Sequence, residues 1–420
     1  MNMEHAAQSM EQTNILGQCT KWSAVATIFA LPISTSITVI LFFLTSLLVL
    51  ATGQWRYKFD VIRSNRPACF MMGFYLLFLI GSLYSIGTFH DIEKQCLKFS
   101  WLLLAPLWIP LFTQKQWQDR AINAFLIVMT ATLFLGYLKF HHWLPINPNF
   151  WAHLAPRLDT STVTVFKDHL IQGFLMSIAT SIFLFRFIET KKWPYGLLAL
   201  AGAISVLLMG RGRTGYILML LLLSFTFFNQ LGFKKGIIYT FLLLATFATI
   251  ITVLPSPAKT RAKIAIEDVH QYHRGNETTS LGYRYAWMKN AVSLIKERPI
   301  IGYGTGSIKA AYATLPQKDT QKTGIVGNAS NEYLNIMLQF GAIGLFILLA
   351  MLFMQWRYSV LLPNDLKFLM QITLIALCVG NLANSWLMDF TQAHFYAIFF
   401  AVVFSRASNT ISGSKSRIQR

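Results

Sequence analysis

The sequence predicts an all-α polytopic membrane protein of about twelve transmembrane helices with one long, partly helical external loop. Three observations predict it. Hydrophobic residues make up 54% of the 420 and charged residues only 13%, about half the charged share of a soluble domain. Apolar runs near the roughly 20-residue length that crosses a bilayer recur along the chain, too many for one buried soluble core. They do not alternate apolar and polar residues, which excludes a porin-type barrel.

The elements follow in order. The stretch before Lys21 holds Glu4 and Glu11 but no Lys or Arg, so no cleavable signal peptide with a basic n-region is expected. Two helices fall within Trp22–Thr52, split by a tight turn at Leu31-Pro32. The third spans about Ala68–Gly87. The fourth, about Leu97–Phe112, is short and interrupted by Pro106 and Pro110. The fifth runs over Arg120–Phe140, and a polar segment, His141–Thr164, follows. The sixth to ninth are Val165–Ile188, Pro194–Met209, Thr214–Asn229 and Lys235–Leu254. The long loop comes next, and then the tenth (Asn331–Gln355), eleventh (Leu366–Asn384) and twelfth (Asp389–Phe404). This gives membrane helices in residues 1–254, the loop in 255–329 and membrane helices in 330–420, as one integrated domain. The four cysteines (Cys19, Cys69, Cys96, Cys378) show no metal or redox spacing, and none lies in the loop.

Charge sets the orientation. Arg56, Lys58, Arg63, Arg66, Lys115, Arg186, Lys191, Lys192, Lys234, Lys235, Arg357, Lys367 and Arg406 all fall on one side of a twelve-helix arrangement, together with both termini. Basic short connections mark the cytoplasmic side. The net charge of +19 is therefore distributed as topology demands, and nucleic acid is not an expected partner. Two basic features lie on the opposite face. One is the loop, with 11 Lys/Arg against 5 Asp/Glu; long loops cross largely regardless of charge. The other is the tight turn Gly210-Arg-Gly-Arg213. Arginines at a membrane boundary can simply snorkel, but two in a short external turn oppose the charge rule and ask for a reason.

Polar residues on that face supply candidate chemistry. Arg211 and Arg213 offer permanent charge and planar donor forks suited to phosphate oxygens, and Arg213 would open the eighth helix, where free N–H groups favour an anion. In the loop, Leu281, Tyr285, Met288, Val292 and Ile295 recur at helical spacing and are expected to pack onto the membrane helices. Arg284, Trp287 and Ala291 form the neighbouring stripe. Pro299 ends that helix, and Gly302-Tyr-Gly-Thr-Gly306 is not a Walker loop because no Gly-Lys-Ser/Thr follows; it reads as structural punctuation first. Ser330 is expected to cap the tenth helix, with Asn331 and Glu332 pointing from its first turn into an external cavity. Asp389 stands at the start of the twelfth helix, where the dipole favours a carboxylate. His169 starts the sixth helix from the same side. His270 and His273 near Glu267 and Asp268 lack a recognisable ligand set, so no metal is expected.

Four pieces together resemble one family: GRGRTGY (210–216), RYAWMKNAVSLIKERPIIGYGTG (284–306), NEYLNIMLQFGAIGL (331–345) and NSWLMDFTQAHFYAIFF (384–400). The chain resembles the bacterial O-antigen ligases, within a wider group that includes O-antigen polymerases and O-linked protein oligosaccharyltransferases. The first three pieces mark the wider group; the last is more ligase-like. The resemblance implies a metal-independent glycosyltransferase without cofactor. It implies an inner-membrane protein with cytoplasmic termini and a periplasmic loop, active in lipopolysaccharide biosynthesis. The implied donor is an undecaprenyl-pyrophosphate-linked glycan, and the implied acceptor a sugar hydroxyl of the lipid A–core, among membrane lipids. Arg213 and Arg284 match arginines thought to hold the donor pyrophosphate. Arg211, Trp287, Asn331 and Glu332 are the expected substrate contacts. The family usually carries a histidine where this chain has Ser330, and a serine hydroxyl does not accept a proton readily at neutral pH. Ser330 can still position the acceptor; the base is then expected at Asp389, Glu332 or His169, or else leaving-group stabilisation carries most of the rate. A polymerase, a protein oligosaccharyltransferase, and a transporter or lipid-binding scaffold are the alternative readings. Transporters tend to place charged residues or broken helices near the midplane, whereas here the polar candidates gather at one face.

Overall fold

The computed structural model describes residues 15–141, 143, 163–253, 257–274, 278–316 and 324–405. Most of the segment His141–Thr164 and both chain ends lie outside them. The described chain is helical: α1 (Ile15–Ala30), α2 (Thr35–Ala51), α3 (Trp55–Ser64), α4 (Arg66–Ser82), α5 (Phe89–Lys98), α6 (Trp101–Trp108), α7 (Lys115–Phe140), α8 (His169–Thr190), α9 (Trp193–Ile204), α10 (Arg213–Val253), α11 (Pro257–His273), α12 (Ser280–Glu297), α13 (Ile308–Ala313), α14 (Glu332–Ser359), α15 (Asn364–Gly380) and α16 (Phe390–Phe404). By length and composition, five stretches of these can cross a membrane: Phe89–Phe112, Lys115–Phe140, His169–Thr190, Arg213–Val253 and Glu332–Ser359. A sixth is added if α2 and α3, bent by 115°, count as one span. Arg66–Ser82, Trp193–Met209 and Phe390–Phe404 are shorter apolar helices. A polytopic membrane protein fits this content, and the expectation of about twelve crossings rests on the sequence pattern.

Sequence explains where these helices start and stop. Asn65 caps α4, its Oδ1 accepting from Ala68 N (3.2 Å), with Pro67 in the first turn where a missing N–H costs nothing. Its amide also donates to Phe404 O at 2.8 Å, tying α4 to the end of α16. Pro106 sits inside α6 and Pro110 in the 3₁₀ turn Ile109–Phe112 that follows it, so the helix runs through Pro106 and tightens only after Trp108. The expected eighth and ninth helices are the two arms of α10, which breaks between them at Gly232 with φ 76° and ψ 174°. That left-handed φ needs a glycine. The second half of α10 folds back, because a Cβ at Gly236 would lie 3.0 Å from Phe228 Cα.

The core is aromatic. Trp101, Trp108, Trp117, Trp386, Tyr396 and Phe42 are fully buried, and α16 is buried along its whole length from Thr391. A second, smaller core lies in the loop and is built from Ala291, Leu294, Tyr303, Ile308, Ala311 and Tyr312, with Ala329 and Leu338. The loop is thus a folded unit attached to α14.

That attachment runs through the glycine-rich turn. Tyr303 N and Gly304 N donate to Leu338 O and Gln339 O (both 2.8 Å), and Ala342 N donates to Pro299 O (2.8 Å). These bonds use backbone groups that α14 frees where it breaks at Gly341 (φ 59°, ψ −155°). On the other side Thr305 Oγ1 donates to Phe78 O (2.6 Å) and Thr305 N to Gly81 O (3.1 Å). The turn is therefore wedged between α4 and α14. A Cβ at Gly304 would lie 2.4 Å from Ser85 Cα, and one at Gly341 2.2 Å from Ile300 C, so both glycines are required by close approach. The reading of this turn as structural punctuation agrees with the geometry.

One expectation about the loop is corrected. α12 buries the expected stripe only in part: Ile295 is buried and Leu281 and Met288 are half-buried, but Tyr285 is 57% and Val292 42% exposed, while Ala291 and Leu294 are fully buried. The face turned inward runs through Gly282, Ala286, Ala291, Leu294 and Ile295. Tyr285 packs edge-on against Tyr272 of α11 (4.5 Å between ring centroids), and Tyr312 Oη donates to Trp287 O (2.6 Å). The loop's own neighbours, invisible to periodicity, chose the face.

Candidate functional site

Four helix starts converge beneath the loop: those of α8, α10, α14 and α16. Each leaves backbone N–H groups unpaired within its helix and a partial positive charge. α8 begins at Asp168, whose Oδ1 accepts from Leu170 N and Ile171 N (both 2.9 Å). Just before it, Lys167 donates to Thr35 Oγ1 at 2.5 Å, fixing this approach to α2. His169 then abuts the arginine turn: a Cβ at Gly212 would lie 3.0 Å from His169 O and 3.3 Å from its Cδ2. Only glycine lets the turn sit so close to α8.

Arg213 opens α10. Its Nη2 lies 3.6 Å from Asp268 Oδ2 of α11. Its Nη1 is buried and has no hydrogen-bond partner among the described residues. Arg284 projects from α12 toward the same place and is anchored by Nη1 to Ala383 O (2.8 Å) and Asn384 Oδ1 (3.3 Å). Asn384 in turn donates to Thr214 Oγ1 (3.4 Å), so one amide connects the loop arginine to the start of α10. The protonated form of Arg284 is disfavoured first by burial and then by Arg213, and favoured by Asp389. Two guanidinium groups are thus held within electrostatic reach of each other at a partly dry boundary. An anion placed between them relieves that repulsion and supplies the acceptor that Arg213 Nη1 lacks.

Asp389 is the N-terminal neighbour of α16, but its side chain makes no capping hydrogen bond. Water reaches it on one side, while protein crowds the others. Burial, then Asp168, pushes its carboxyl up to about 6; Lys98 and Arg284 pull the other way. It is an uncommitted carboxylate beside the arginine pair.

The exit of the loop departs from expectation. Asn331, not Ser330, caps α14, its Oδ1 accepting from Leu334 N (3.0 Å) while its Nδ2 donates to Leu382 O (2.9 Å). Ser330 sits at φ 56°, a left-handed conformation uncommon for a serine, and its N–H donates to Asn328 Oδ1 (2.7 Å). That oxygen also accepts from Asn335 Nδ2 (3.0 Å) and Ser385 Oγ (2.6 Å). Asn328 therefore holds the loop exit, α14 and the turn before α16 together. Glu332 is fully buried with its N–H bonded to Asn381 O and Asn384 O, so it does not open into a cavity. Asn331 spends both ends of its amide on backbone. Trp287 stacks on Tyr283 (5.9 Å, 21°).

The structure thus brings Arg213, Arg284 and Asp389 together, sets His169 against the arginine turn, and withdraws Glu332. It adds Lys98, Asp168, Asp268 and Asn384, which sequence reasoning did not select. Asn384 stood inside a quoted motif. Lys98 lies at the second position of the expected fourth helix, Leu97–Phe112. No group of three or more His, Cys, Asp or Glu among the described residues has the arrangement of a metal site.

Comparison with known proteins bears on the same region. Residues 196–349 match a family model described as O-Antigen ligase. The match takes in Arg211, Arg213, Arg284 and the loop exit, and ends before Asp389. Among curated proteins, an uncharacterized protein of Haemophilus influenzae is 27% identical over 180 residues, which is 41% of this chain and 45% of that protein. The chain therefore spans under half the length of that relative.

Proposed function

We infer that this chain, which carries the O-antigen ligase family domain over residues 196–349, transfers a glycan from a lipid-linked pyrophosphate to an acceptor hydroxyl at the face of the membrane where its loop lies. The observation that supports this best is the Arg213–Arg284 pair, with one buried guanidinium N–H left without an acceptor. The finer reading is a ligase in lipopolysaccharide biosynthesis. Its donor is glycan on undecaprenyl pyrophosphate, its acceptor a lipid A–core sugar, and its location the periplasmic face of the inner membrane.

The chemistry is displacement at the anomeric carbon of the first donor sugar. The acceptor oxygen forms the new C–O bond as the bond to pyrophosphate breaks, and negative charge grows on the departing oxygens. Arg213 and Arg284, preorganised by Asp268 and by the Ala383–Asn384 turn, meet that charge. The acceptor's proton leaves to Asp389, the uncommitted carboxylate of the group. Ser330 positions the loop exit and carries no proton.

Deleting the gene and analysing both products tests the reading. A ligase leaves bare lipid A–core and accumulates long lipid-linked polymer. Core bearing a single repeat unit points to a polymerase instead. Unchanged lipopolysaccharide with lost protein glycosylation rejects both.

A further inference from the structure

At ten residues, Trp55–Ser64, α3 is too short to cross a bilayer, and it leaves α2 at 115°. The chain builds that corner from its own groups. Gly53 and Gln54 take left-handed φ of 67° and 55°. Lys58 is buried in the angle, and its Nζ donates to Val49 O and to Thr52 Oγ1 (2.7 Å) at the carbonyl end of α2. Past the end of α3, Asn65 joins the chain to α16 through Phe404 O. α4 then leads away, and its other end receives Thr305 of the loop at Phe78 O and Gly81 O. α3 therefore lies across the end of the helices opposite the loop.

Its exposed face has an order. Val61 and Ile62 turn inward with Lys58. Going round the helix at about 100° per residue, Trp55 and Phe59 come first, Arg63 and Arg56 next, and Asp60 last. Trp55 is 55% and Phe59 63% exposed; both arginines, Asp60, and Arg66 at the start of α4 are exposed as well. No hydrogen bond or ion pair joins the guanidinium groups of Arg56, Arg63 or Arg66 to another described residue. Rings, then cations, then a carboxylate match the layers that a bilayer surface presents: acyl chains, phosphates and water. A helix wholly among acyl chains would not expose three arginines and an aspartate. One wholly in water would gain nothing from two aromatic rings side by side.

We propose that α3 is an in-plane anchor that binds anionic phospholipid headgroups in the leaflet opposite the loop. Trp55 and Phe59 seat at the acyl boundary, and Arg56, Arg63 and Arg66 meet the lipid phosphates. Three arginines against one aspartate leave the face net positive, so it favours anionic over zwitterionic lipid. The anchor holds the start of α4 at the bilayer surface and takes no part in the transfer proposed above.

The test is site-resolved and needs no turnover. In a background without the four native cysteines, Phe59→Cys carries a bimane label, and the full-length protein is placed in nanodiscs. Brominated phosphatidylglycerol and brominated phosphatidylcholine are compared as quenchers. Both should quench, the anionic lipid about fivefold more strongly, the preference one basic side chain gives at an anionic surface. Combined Arg56→Gln, Arg63→Gln and Arg66→Gln should bring the two lipids to parity with an unchanged melting temperature. The corresponding triple lysine variant should keep the preference. Absence of quenching by either lipid means that water or another protein covers the face, and overturns the proposal. Equal quenching in the parent, or a preference that survives in the glutamine variant, overturns it too.

Discussion

Arg213 and Arg284 carry like charges that the fold brings within reach of each other, and that arrangement is costly unless an anion sits between them. Arg213→Ala should therefore lower turnover on the order of 10²-fold or more, as removal of a preorganised charge donor does. The protein should still insert and keep its melting temperature, and full activity in a purified transfer assay would sink the pyrophosphate clamp. Asp389 yields a pH prediction whose sign follows from burial. With its carboxyl near 6, a proton occupies it at lower pH and it cannot accept another. Transfer should then fall about tenfold per unit below that value. Asp389→Asn should flatten this limb as well as slow the reaction; an unchanged profile in the variant assigns the base elsewhere. Ser330→Ala should be near-neutral, because the contact seen at Ser330 uses its backbone N–H, which alanine retains.

At the scale of elements, the loop is positioned by two helix breaks and a glycine turn rather than by an apolar face. Gly341→Ala places a Cβ against the Ile300 carbonyl in a backbone conformation that disfavours it. A cost on the order of 1–3 kcal/mol is expected for the conformation alone, seen as a lowered melting temperature. Limited proteolysis should begin within 278–316, since the wedge between α4 and α14 is what seats the loop. A variant that stays as protease-resistant and as stable as the parent would mean that the contacts around Tyr312 suffice. The amphipathic reading of α12 found the helix and the burial of Ile295, but it missed the exposure of Tyr285 and Val292. Periodicity reports that a face is apolar, and it does not report which partner, α11 or α14, waits on each side.

For the whole molecule, exposed positions on opposite ends of α14 test the topology. Ile325 is 51% and Leu361 62% exposed. In a background without the four native cysteines, Ile325→Cys should react with a membrane-impermeant thiol reagent in intact cells or spheroplasts. Leu361→Cys should react only after permeabilisation. The reverse pattern places the loop in the cytoplasm and removes the transfer reaction proposed for it.

The sequence by itself determined the helical membrane class, the arginine turn and the tightening of the chain at Pro110. These follow from local chemistry: apolar length, glycine and proline, and the sparseness of charge. It did not determine how the loop docks. Asn331 displaces Ser330 as the cap because Asn328, Asn335 and Ser385 claim the chain around it. Glu332 is buried because the 381–384 turn closes over its backbone, and Asn384 joins Arg284 to Thr214 across elements far apart in the chain. Those outcomes depend on which helix starts the fold brings to one place, and that was decided only by tertiary packing.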